Sequence, residues 1–131
     1  MTVVAAALIA ACNDDGAGGG SPSVDDLAGK TFVSSSVDGH PMDGTSVTLS
    51  FDEGGVAVHA ACNTMRGAVT IDDGRLEVAA MAQTMMACAD DLTAQDAFLS
   101  GFLEAGPTVS LRGRTLTLTT DDATIVAEQQ V

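Results

Sequence analysis

The chain has no Trp and no Tyr, and only four Phe in 131 residues. Its core must therefore be built from Val, Leu, Ile, Ala and Met. Positive charge is also scarce, with five Lys and Arg against eighteen Asp and Glu, for a formal net charge of −13. A surface of this sign repels phosphate backbones, which argues against nucleic acid as a partner. It also does not adsorb to anionic lipid through charge alone. It favours solubility and, where there is a partner, a cationic one. No apolar run is long enough to cross a bilayer: residues 3–11 form a stretch of nine, where a spanning helix needs roughly 20. The length suits one compact domain with one core.

The short apolar run has another use. It ends Leu8-Ile9-Ala10-Ala11-Cys12 and passes at once into a segment rich in Gly, Ser and Asp. An aliphatic residue, two small residues and a cysteine resemble a bacterial lipobox, in which small side chains let a peptidase reach the backbone. Residues 1–11 then read as a lipoprotein signal peptide. Residues 12–25 read as a lipidated flexible tether, and residues 26–131 as the folded domain. Two or more acyl chains on Cys12 would hold firmly, at about 0.8 kcal/mol per buried CH₂. A signal peptide normally opens with Lys or Arg, and no basic residue precedes Lys30, which leaves open whether the true start lies upstream of Met1. The expected location is extracytoplasmic, anchored to a bacterial membrane.

Beyond Pro22 the apolar residues alternate, which is the signature of half-buried strands. Val47, Leu49 and Phe51 lead through a turn at residues 52–55 to Val56, Val58 and Ala60. Val69 and Ile71 lead through Asp72-Asp73-Gly74 to Leu76 and Val78. Val109 and Leu111, Leu116 and Leu118, and Ile125 form a third group, after an earlier strand over residues 30–37. One segment departs from period two. Phe98, Leu99, Phe102 and Leu103 fall at helical spacing. Thr93 is placed to cap that helix, with Asp96 completing a short capping box, and Gly106-Pro107 to end it. The pattern predicts a mainly β fold: a small antiparallel barrel of about eight strands, with one helix inserted before the last three.

With Cys12 assigned to lipid, Cys62 and Cys88 remain. An oxidising compartment favours a bridge between them, worth about 3.5 kcal/mol in the chain-entropy account. Two free buried thiols, or a zinc site with His40 and His59, are the alternatives. The second lacks the usual ligand spacing.

The ordered features "LAGKTF", "VTLSF", "ACN" at Cys62-Asn63, Gly67, "TMMAC" at residues 84–88, a short helix and "LTL" resemble the META domain family of HslJ-like bacterial envelope lipoproteins. Trp is frequent in that family where Phe32 stands, and Gly where Ala61 stands. The resemblance implies a lipocalin-like barrel, a role in stress tolerance, and no established catalytic residues. It singles out a motif loop of Asn63, Gly67, Thr84, Met85 and Met86. Read as residues, Asn63 suits a left-handed turn, and Gly67 gives free φ at a strand start. Thr84 can bond a neighbouring backbone group. Met85 and Met86 read as filler over the crosslink.

No chemistry stands out. There is no G-x-S-x-G, and Ser100 lies within the helical segment. The acidic pairs read as turn residues, and no calcium loop or phosphate-cradling glycine loop is present. The expectation is a monomeric, non-enzymatic domain with no cofactor and no metal. It binds an unidentified protein or small ligand in the envelope. Two alternatives are an acidic inhibitor of a cationic hydrolase such as lysozyme, favoured by charge-steered encounter, and a small-ligand carrier with a closed cavity.

Overall fold

The computed structural model describes residues 21–130 apart from positions 43, 61 and 85. The expected leader, Cys12 and most of the tether lie outside the described residues, as do Ala61 and Met85. A single helical turn, α1 (Val24–Leu27), opens the structure across the expected boundary between tether and domain. The Ser23 hydroxyl accepts from the Asp26 N–H, and the Asp26 carboxylate accepts from the Ser23 N–H. These two bonds form a capping box. The Ser23 backbone N–H, then its hydroxyl, then Lys30 hold the Asp26 carboxyl below the usual aspartate range. A depressed carboxyl favours the folded state above its unfolded pKa. That contribution disappears as pH falls through the lowered value.

The strands are β1 (Thr31–Asp38), β2 (Thr48–Asp52), β3 (Gly55–His59), β4 (Thr64–Asp72) and β5 (Arg75–Gln83). The long helix α2 (Asp90–Glu104) follows, then β6 (Thr108–Arg112), β7 (Thr115–Thr119) and β8 (Thr124–Gln129). All neighbours are antiparallel in chain order, and β1 pairs with β8 to close the sheet into a ring. The fold is mainly β, with eight strands and the helix before the last three, as the alternation implies. The two-residue hairpins fall where the turn residues stand, at Asp52↔Gly55, Asp72↔Arg75 and Arg112↔Thr115.

Inward positions of every strand meet in one core. Phe32, Leu49, Val58, Met65, Leu76, Leu116, Leu118 and Ile125 are essentially sealed from solvent. Three of the four Phe join the aliphatic residues there, beyond the composition-based expectation: Phe32 and Phe51 pack edge to face at 6.0 Å, and Phe102 arrives from α2. Among the described residues no helix is long and apolar enough to cross a membrane.

The ring is uneven. Strands β4 and β5 pair along nearly their whole length, whereas β5 and β6 share the single pair Arg75↔Thr108. Across that short joint the Leu76 N–H donates to Pro107 O and the Val109 N–H donates to Gly74 O. Beyond it α2 lies against β5.

Helix α2 begins at Asp90, three residues before the expected cap, and Ala89 at its N-cap makes no side-chain bond. Thr93 is therefore interior. Asp96 is buried and bonds across to another loop, so the expected capping box does not form. Asp90 and Asp91 occupy the first turn, where they meet the positive end of the helix dipole rather than a loop. Gly106 ends the helix at φ +70°, as the sequence suggests.

Gly67 has a different role from the one expected. It lies inside β4, opposite a bulge in β5 where Ala80 takes φ +53°. A Cβ on Gly67 would stand 2.5 Å from Val78 Cγ1 and 2.9 Å from Ala79 O. The position needs the missing side chain, not a free φ. Gly101 in α2 is the contrasting case, with nothing within 4 Å of an added Cβ. We expect Gly67→Ala to cost about 1–3 kcal/mol through overpacking. Gly101→Ala should stabilise by up to about 1 kcal/mol through helix propensity. Urea unfolding of the two variants checks the opposite signs.

Candidate functional site

Four fasteners hold α2 on the ring. The helical face running through Leu92, Leu99, Phe102 and Leu103 is interrupted by Gln95 and Asp96, only 1% and 2% exposed. The Gln95 side-chain amide donates to Met42 O at 3.1 Å, tying the helix to the β1–β2 connection. Asp96 Oδ2 accepts from the Asn63 N–H at 3.1 Å and from Asn63 Nδ2 at 3.2 Å, tying it to the β3–β4 connection. At the far end, Arg75 donates to Ala105 O at 3.0 Å, satisfying a carbonyl that the helix terminus leaves open. Ahead of the helix, Cys62 and Cys88 are joined in a disulfide with Cα atoms 6.3 Å apart.

Asn63 is the hub. Its Oδ1 accepts from the Thr84 hydroxyl and from the Met86 N–H, both at 2.8 Å. The Thr84 hydroxyl oxygen also accepts from the Thr64 N–H at 3.0 Å, so Thr84 bonds a neighbouring backbone as expected. Asn63 Nδ2 also lies 3.8 Å from Cys88 Sγ. The side chain of Asn63 thus meets both its donor and acceptor needs, and the residue is 93% removed from solvent (7% exposed). It does not take the left-handed conformation expected of it: among the described residues, the non-glycine ones with positive φ are Asp73 and Ala80. Met86 is 62% exposed, so it is not core filler.

Asp96 Oδ1 and Gln95 Oε1 are buried and have no protein partner. A buried, unpaired carboxylate oxygen is costly. Asp96 lines a cleft of about 570 Å³ between α2 and the end of β5, together with Asn63, Gln83, Thr84, Ser100 and Glu104. A smaller recess of about 250 Å³ continues along the strand, between Glu77, Val78 and Leu103, and shares Glu104. A third cleft, of about 500 Å³, lies on the opposite flank between Phe98, Phe102 and the β7–β8 turn, with Asp121 and Asp122 on its rim.

The two histidines are apart. His40 stacks on Phe98, with centroids 5.1 Å apart and planes 15° from parallel. His59, at the end of β3, has Nδ1 3.0 Å from Oγ1 of Thr64 on β4. Ser100 sits in α2 on the wall of the cleft that Asp96 lines. Sequence reasoning missed Gln95 and Asp96 as anchors, and missed Gln83, Glu77 and Glu104 as cleft residues. The readable signal was two polar residues on the buried face of a helix.

The arrangement is that of a small ring-sheet domain whose one long helix is clamped by a crosslinked loop. Residues 25–131 match the META domain, and the chain belongs to that family. An NMR structure of a protein 30% identical to this chain superposes with a TM-score of 0.68, covering 82% of this chain and 94% of the other. An NMR structure of a protein from Burkholderia xenovorans, 20% identical, shares the fold at a TM-score of 0.65, covering 82% of this chain and 86% of that one. No curated protein matches.

The network separates two residues of the same motif. Thr84→Val keeps the shape, removes the donor to Asn63 and leaves the Thr64 N–H to water. It should cost about 0.5–1.5 kcal/mol. Met86→Ser, at an exposed position, should stay within about 0.5 kcal/mol of the parent. Chemical denaturation with the disulfide intact measures both.

Proposed function

We propose that this domain is a non-catalytic binding module of the bacterial envelope, monomeric, held to a membrane by lipid on Cys12 and acting in stress tolerance. The observation that carries the reading is where the open space lies. Side chains of β1–β8 fill the ring's interior, while clefts large enough for a ligand flank α2 on the outside. That distribution favours recognition at the surface over carriage of a small molecule inside. The lipobox-like run ending at Cys12 and the Gly-rich stretch after it support a tethered display, since a flexible linker lets a domain search for partners near its anchor.

The inhibitor reading keeps one specific support, the net charge of −13. An acidic surface accelerates encounter with a cationic hydrolase such as lysozyme.

Cys12→Ala tests the anchor. In the native host the parent should partition with membranes and carry acyl mass at Cys12, and the variant should appear in the soluble extracytoplasmic fraction. Equal partitioning of the two proteins would remove the tethered reading. Undiminished lysozyme activity at low salt with excess domain would remove the inhibitor reading and leave the tethered module standing.

A further inference from the structure

We propose that the cleft between β5 and α2 receives an extended Lys- or Arg-bearing segment of a partner protein, which adds as a short strand to the free edge of β5. The inference rests on the reading of this domain as a binding module and names the partner's chemistry.

The edge comes from the uneven ring. Strand β5 spans nine residues but meets β6 only at Arg75↔Thr108. Among the described residues no strand pairs with its far side beyond that point. The Leu76 N–H donates across the joint to Pro107 O. Alternation along an extended strand turns the amide and carbonyl of Val78 to the same side. Past the bulge at Ala80, the Thr84 N–H donates back to Thr64 O, which directs Met81 and Gln83 outward. Ala79, Ala80, Ala82 and Gln83 are exposed and carry no charge that would guard the edge. The bulge divides the edge, so an added strand must be short.

The charge selects the occupant. Glu77, Glu104 and Asp96 line the two recesses beside this edge, which share Glu104. Asp96, on the wall of the larger recess, has a buried Oδ1 without a protein partner, which adds to the acidic character of that wall. Arg75, the cation at the far end, is already engaged by Ala105 O. A second copy of this chain would bring the same acidic recesses and a net charge of −13, so the edge favours a basic segment over self-association. Main-chain bonds would supply affinity, and the Lys or Arg side chain beside Glu104 and Asp96 would supply specificity.

The test uses the isotope-labelled, disulfide-intact domain and three probes: a capped Val-Lys-Val-Arg-Val peptide, its Glu-substituted counterpart, and spermidine. The Lys/Arg peptide should shift and protect the amides of Val78, Met81 and Gln83. Its binding should weaken about tenfold in the Glu77→Gln/Glu104→Gln variant, whose two sites are exposed and leave the fold intact. The Glu peptide should not bind. Silence from the Lys/Arg peptide, equal binding of the Glu peptide, or spermidine shifting Glu104 while the edge amides stay unmoved by any peptide would each overturn the proposal. Cross-links from an envelope partner confined to the β7–β8 turn would also overturn it, while leaving the binding-module reading in place.

Discussion

The contact between Asn63 and Asp96 is the constraint on which the rest of the molecule depends. A carboxylate sealed at 2% exposure needs donors, and Asn63 supplies two to the same oxygen. The acceptor of the same amide gathers Thr84 and Met86. One side chain therefore joins the β3–β4 connection, the segment leaving β5, and the helix. The Cys62–Cys88 bridge ties the first two of these pieces covalently, just ahead of the helix, and limits how far they separate when the hydrogen bonds open. This matters because the ring has a weak joint. With β5 and β6 sharing one residue pair, the helix lies beside β5 where the strand pairing stops.

The strands were readable because each presents one face to a core, and a period of two leaves little freedom in register. Leu49 and Phe51 against Val56 and Val58, or Leu116 and Leu118 against Ile125, declare both the strand and its inward side. The helix was readable from Leu99, Phe102 and Leu103, but its start was not. Ala89 has no capping side chain, and the acidic pair at Asp90 and Asp91 acts through the helix dipole, a weaker local signal than Thr93 with Asp96.

The candidate site was legible as a motif and illegible as a mechanism. Asn63, Gly67 and Thr84 stand out as residues, yet their roles are non-local. Asn63 answers a carboxylate 33 residues away. Gly67 makes room for Val78 and for a bulge in the neighbouring strand. Neither partner is inferable from local propensity, which is why turn chemistry was the natural first reading of both. Met86 shows the reverse error: an apolar residue beside a crosslink need not be covered by it. On the proposed reading, the helix beside the short joint also builds the wall of a cleft that has acidic residues on its lining and an open strand edge along its side.

The most direct measurement of the central claim is a double-mutant cycle between Asn63→Ala and Asp96→Ala, read by urea unfolding of the oxidised protein. The account predicts strong non-additivity, with the double variant retaining about 1–3 kcal/mol more stability than the two single losses summed, because removing both partners leaves fewer buried groups stranded than removing either alone. Additive losses, with a coupling below about 0.5 kcal/mol, would contradict it and leave α2 held on the ring by its apolar face, the disulfide and the Gln95 and Arg75 bonds.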